Sequence, residues 1–99
     1  MLVHSVFFWL KKSAPKGAAA KLVKECRTYL KTSTVRHLWA APPAPTPDRP
    51  VIDATYDVGL TVVFDDLRGH DAYQEDPQHL KFIARNKALW QRVAVYDIQ

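Results

Sequence analysis

Four histidines, four tyrosines and ten carboxylates make up the acid–base repertoire of this chain. His79 stands out by its neighbours. Asp76 suits a helix N-cap and Pro77 the first helical position, which puts His79 at the third position of a helix. Free N–H groups and the positive end of a helix disfavour an imidazolium, so the ring there stays neutral and able to accept a proton. Asp97 falls, by alternation, on the inward face of a C-terminal strand. Accepting a hydrogen bond from His79, it would fix the tautomer and favour the protonated form, opposing the helix. A base balanced near neutrality suits proton abstraction next to a carbonyl, a contribution of roughly 10²–10⁴-fold in rate. Tyr73 can donate to a developing enolate or carbonyl oxygen. His4, inward on the first strand, can orient or polarise a ligand. Such a set needs no metal and no organic cofactor.

Each residue also has a structural reading. His79 can be a polar helix-start group, His4 a hydrogen-bonded core histidine, Tyr73 a half-buried packing residue, and Asp97 an ion-pair partner of a lysine or of His79. His37 and His70 read as surface residues, and Asp65-Asp66 as a helix cap. Zinc would need His4, His79 and a carboxylate to converge, which spacing does not establish. For haem, His4 and His79 are the only axial candidates. Gly17, Gly59 and Gly69 are too scattered for a phosphate-cradling loop.

The elements that must position these groups follow from pattern. Leu2 to Lys12 is apolar, aromatic and β-branched, with Leu2, His4, Val6, Phe8 and Leu10 on one face and Val3, Ser5, Phe7, Trp9 and Lys11 on the other. Ser13 and Pro15 signal a helix of about 16 residues. Its apolar stripe is Ala19, Leu22, Val23, Cys26, Tyr29 and Leu30. Lys16, Lys24, Arg27 and Lys31 form its wet back without interleaved aromatics, which argues against nucleic acid. Val35 to Ala41 reads as a second strand, with Val35, His37 and Trp39 alternating against Arg36, Leu38 and Ala40. Five prolines between Pro42 and Pro50 end it in a surface loop. Asp53 to Phe64 reads as a third strand, with Tyr56, Val58, Leu60, Val62 and Phe64 on one face and Gly59, on the other, marking a close backbone approach. Asp65 or Asp66 caps a helix to Glu75, with Leu67, Ala72 and Tyr73 inward. The helix restarts at Asp76-Pro77, Leu80, Phe82, Ile83 and Leu89 supply its apolar surface, and Gln91 to Ile98 closes as a strand.

The order β-α-β-β-α-β is the ferredoxin-like split βαβ, an α+β fold with a four-stranded antiparallel sheet and helices on one face. Its 99 residues form one domain, 1–99. Apolar content of 47% and charged content of 24% exclude disorder and fibre. No apolar run approaches the roughly 18 residues of a membrane span. One cysteine excludes a disulfide framework, and a cytoplasmic setting fits. The net charge of +4 divides into +7 for residues 1–50 and −3 for 51–99. Helices cover only one sheet face, leaving Val3, Phe7, Trp9, Val63, Tyr96 and Ile98 on the other. A second copy laid sheet to sheet, as a homodimer, would cover that patch.

The chain resembles the Dabb proteins, stress-responsive dimeric α/β barrels. The likeness rests on LVHSVFFWL, RPVIDATYDVGLTVVF, the DAYQEDPQHLKF segment with its A-Y-x-x-x-P-x-H-x-x-F pattern, and VAVYDIQ. The resemblance implies a ferredoxin-like homodimer, and most such proteins are uncharacterised. One member type, olivetolic acid cyclase, closes a linear tetraketide by intramolecular aldol condensation. Similarity to it implies Tyr73 and His79 as catalytic and His4 as a pocket residue. The chain departs at Val58, where that cyclase has a further histidine, making the pocket less polar. The expected cavity lining is then His4, Val58, Tyr73, Phe82 and His79, with Asp97 beside it. The expected ligand is a small hydrophobic or carbonyl compound. The alternatives are a non-catalytic stress-associated binding module and an interaction protein using loop 42–50 as an arm.

Overall fold

The two ends of the chain meet in the sheet. In the computed structural model, which describes residues 1–99, β1 (Leu2–Leu10) pairs antiparallel with β4 (Trp90–Ile98) on one side. On its other side it pairs with β3 (Val58–Phe64), and β2 (Val35–Ala41) lies beyond, giving the order β2-β3-β1-β4. Helix α1 (Ala18–Tyr29) connects β1 to β2, and α2 (Leu67–Glu75) with α3 (Pro77–Asn86) connects β3 to β4 through a 3₁₀ turn. This is the expected ferredoxin-like β-α-β-β-α-β arrangement with its second helix broken in two.

Alternation in β1 and β3 builds the core. Leu2, Val6, Phe8, Val58, Leu60, Val62 and Phe64 point under the helices, where Leu22, Cys26 and Leu30 of α1, Tyr73 of α2 and Phe82 of α3 meet them. Helix α1 begins later than Ser13-Pro15 suggests. Turns at Lys11–Ala14 and Pro15–Ala18 delay it, and Gly17, at φ 85°, turns the chain into the first helical residue. Glu25 is buried on this helix because Arg85 of α3 donates to it at 2.7 Å.

Three expectations change. Strand β3 starts at Val58, not Asp53. Asp53 accepts from the Thr55 N–H and hydroxyl, and Asp57 accepts from the Leu10 N–H at 2.7 Å, so side chains capture this segment before it can pair. Tyr56 consequently stands on the outer sheet face, its ring 4.9 Å from that of Phe7. Gly59 does mark a close approach: a Cβ there would meet the Tyr56 ring at 3.3 Å. In β2 the register slips between Val35 and His37, so Val35, Leu38 and Ala40 pack inward while His37 and Trp39 are exposed. Leu67 and Leu80 are about half exposed and Ala72 is exposed, because α2 buries Gly69 with Tyr73, and α3 buries His79, Phe82 and Asn86. Asp66, not Asp65, caps α2, accepting from the Gly69 N–H at 2.9 Å.

The outer sheet face is partly covered from within. Trp9 donates to Thr55 at 2.9 Å and Tyr56 lies over Phe7, while Trp39, Tyr96 and Ile98 stay exposed. No helix is long and apolar enough to cross a membrane.

Candidate functional site

Pro77 forces the break in the second helix. A residue before proline is driven from helical to extended backbone, and Asp76 sits at φ −62°, ψ 133°. Asp76 then serves both sides of the elbow. Its N–H donates to the Tyr73 carbonyl at 3.2 Å, and its carboxylate accepts from the Gln78 N–H at 2.8 Å. The elbow sets Tyr73, in the last turn of α2, against His79, in the first turn of α3, with ring centroids 4.5 Å apart.

Below the elbow lies a cavity of about 170 Å³. His4, Val6 and Phe8 of β1 form its floor, Phe82, Ile83, Trp90 and Leu30 its apolar walls, and Tyr73 and His79 its polar roof. Val95 and Val93, opposite Val6 and Phe8 across the β1–β4 ladder, join the lining together with Leu60 and Gln74. β4 is an edge strand, and these two valines are 50% and 39% exposed, so the cavity opens along it.

The polar groups differ in state. Burial, chiefly, holds the His79 imidazole below its ordinary pKa, and the nearby His4 ring adds to that effect; the Gln74 backbone and Asp76 act the other way. The helix end expected to keep this ring neutral is not the leading cause. His79 Nδ1 is buried with no hydrogen-bond partner. Tyr73 is 1% exposed, and burial pushes its phenol well above the usual range with no hydrogen bond acting on it, so it stays a donor. His4 is 4% exposed, and its Nδ1–H donates to Asp97 Oδ1 at 2.5 Å.

Of the residues singled out by sequence, His4, Tyr73, His79 and Phe82 come together around the cavity. Two do not behave as expected. Asp97 faces His4 across the ladder instead of reaching His79, because the register pairs residue 4 with residue 97. Val58 is fully buried in the core and does not line the cavity. One residue was missed. His70, read as a surface residue, has its ring 5.1 Å from that of His4 and 5.7 Å from Phe64, and its side chain is only 16% exposed. The signal was its spacing, three residues before Tyr73 and so on the same helix face. His4, His70 and Asp97 each offer a donor atom within 4.8 Å of the others, a grouping able to hold a metal ion.

An antiparallel four-stranded sheet, helices on one face and an elbow over a half-open cavity define a ferredoxin-like α+β protein. Residues 2–99 match the family described as the stress responsive A/B barrel domain, Dabb, and the chain belongs to that family. No curated protein matches the sequence. A Dabb protein from Mesorhizobium loti with a ferredoxin-like fold is 21% identical, with TM-score 0.79 over 99% of this chain and 94% of that one. A dimeric ferredoxin-like protein of unknown function from Thermobifida fusca gives TM-score 0.79 at 13% identity, over 98% and 88% of the two chains. Hydroxynitrile lyase from Passiflora edulis gives 0.78 at 12% identity, over 98% and 90%.

Proposed function

We propose that this Dabb protein binds a small, partly hydrophobic carbonyl compound in the elbow cavity and performs cofactor-free proton transfer on it, as a lyase, cyclase or isomerase. The His4–Asp97 pair carries this reading. A base must be stabilised once it becomes an imidazolium, and of the two cavity histidines only His4 has a carboxylate on its ring, at 2.5 Å. His79, buried and held neutral, is the poorer base and the better polar contact. His4 takes the proton from the carbon next to the carbonyl, and the electron pair moves onto the carbonyl oxygen as an enolate. The Tyr73 hydroxyl, protonated at any physiological pH, donates to that oxygen. The enolate then regains a proton at carbon from the His4 imidazolium, or its carbon attacks a second carbonyl carbon of the compound, whose oxygen takes that proton as a hydroxyl; the reverse, with His4 taking the hydroxyl proton, breaks the same C–C bond. The structural neighbour described as a hydroxynitrile lyase lends support.

The reading includes a homodimer formed sheet to sheet. The exposed Trp39, Tyr96 and Ile98 on the outer face support it, as does the dimeric description of the T. fusca neighbour. Sedimentation as twice the chain mass at micromolar concentration is expected; a monomer overturns this part. For the chemistry, a panel of β-keto acids and aromatic ketones is incubated in D₂O and read by NMR. Accelerated exchange of the α-protons, lost in His4→Ala, supports the reading. No acceleration with any member, together with no shift of cavity resonances, overturns it.

A further inference from the structure

The histidine read from sequence as a surface residue completes a donor cluster. His4 from β1, His70 from α2 and Asp97 from β4 each offer one nitrogen or carboxylate oxygen, all within 4.8 Å of one another. We propose that these three residues bind a divalent transition-metal ion of the zinc class beside the His4 end of the cavity. Two imidazoles and one carboxylate are the donor types such a borderline cation takes, and they offset part of its charge. Bonds of about 2.0–2.2 Å place tetrahedral ligands roughly 3.4 Å apart. The 2.5 Å contact between His4 and Asp97 must therefore widen by about 1 Å, within reach of side-chain torsions because Asp97 is the outermost member, its side chain 43% exposed.

A second observation comes from the far side of His70. Its Nδ1 lies 3.1 Å from Asp71 Oδ1, so that N–H donates to a carboxylate, and Nε2 accepts from the Gln74 amide at 3.3 Å. His70 is thus held in the tautomer whose lone pair sits on Nε2, fixed from behind by a carboxylate as metal-ligating histidines commonly are, and an ion binding there takes the place of the Gln74 amide on that nitrogen. Burial is graded from His4 at 4% through the His70 side chain at 16% to Asp97, which gives an ion a way in and leaves a coordination position for water or ligand. The binding site stands on its own geometry; its consequence rests on the proton-transfer reading, since an ion that occupies His4 and Asp97 removes them as a base and inhibits.

The test uses tag-free full-length protein, stripped with a chelator. It is titrated with zinc chloride against a chromophoric chelator, and with cobalt chloride for visible absorption. One ion per chain and a tetrahedral cobalt band are expected. Zinc affinity should fall at least about tenfold in His70→Ala and in His70→Gln, with unchanged circular dichroism, and stay unchanged in His37→Ala. Absence of one-to-one binding by the wild type, or an unchanged affinity in both His70 variants, overturns the proposal. His70 lies outside the proton-transfer set, so failed metal binding with intact α-proton exchange removes the metal site alone, and failed exchange with intact binding removes the catalytic reading alone.

Discussion

The layer between sheet and helices has a solid half and a hollow half. Over β3, Val58 and Val62 are fully buried in one core cluster with Cys26 of α1, and the Phe64 ring packs on that of Tyr73 of α2 at 5.0 Å. Over β1 and β4 the same layer holds the cavity, and its two β4 valines reach solvent. The ionisable groups differ accordingly. In the solid half burial pushes the Cys26 thiol up to about 12, so it stays protonated and behaves as a small apolar residue. In the hollow half His4 is as deeply buried but keeps a carboxylate that itself touches water. A buried polar group without a partner is costly to charge, and the carboxylate at the cavity's edge gives the His4 ring a partner.

That contrast can be broken at both halves. Asp97→Asn keeps the side-chain volume but cannot stabilise an imidazolium at His4, so the α-proton exchange rate should fall about 10²–10⁴-fold; an unchanged rate would remove the base from the hollow half. In the solid half Phe64→Ala should cost about 3–5 kcal/mol in urea unfolding. Val95→Ala, on the open rim, should cost less than about 1.5 kcal/mol, since half its surface is never removed from water. Equal losses would mean that the rim is packed as the core is.

Two smaller effects sharpen the picture at the elbow. Asp76→Ala removes the acceptor for the Gln78 N–H and should cost about 1 kcal/mol, with a larger change in the Tyr73 and His79 ring resonances than elsewhere. His79 sets the last. Its pKa is lowered on folding, so the unfolded chain binds the proton more readily. The stability it contributes is therefore complete above the unfolded value near 6.5 and is lost as pH falls through the lower folded value. Urea midpoints should drop between pH 7.5 and 5.5 in the wild type and drop less in His79→Gln; parallel curves would mean that the ring is not held neutral.

Local rules located most of the site. Alternation put His4 inward, and the Asp76-Pro77 pair marked the break that brings Tyr73 and His79 together. What they missed were partners. Asp97 was placed on the correct face but assigned to His79, because its partner is set by the β1–β4 register. His70 was passed over although it shares a face with Tyr73, because spacing along a helix tells which residues lie together and not which way the helix is turned. The third strand was read five residues too long because Asp53, Thr55 and Asp57 bond to backbone and to each other, which an alternating apolar pattern does not register.

Composition, alternation and helix punctuation by themselves determined the element order, the ferredoxin-like class and the inward residues of β1 and α1, since these depend on backbone preference and on the period of apolar side chains. Only the tertiary structure decided that Val58 is packed solid, that His4 and not His79 holds Asp97, and that His70 stands beside them. Those outcomes depend on strand register and helix rotation, which are fixed by how the whole core fills its volume and by no neighbouring residue.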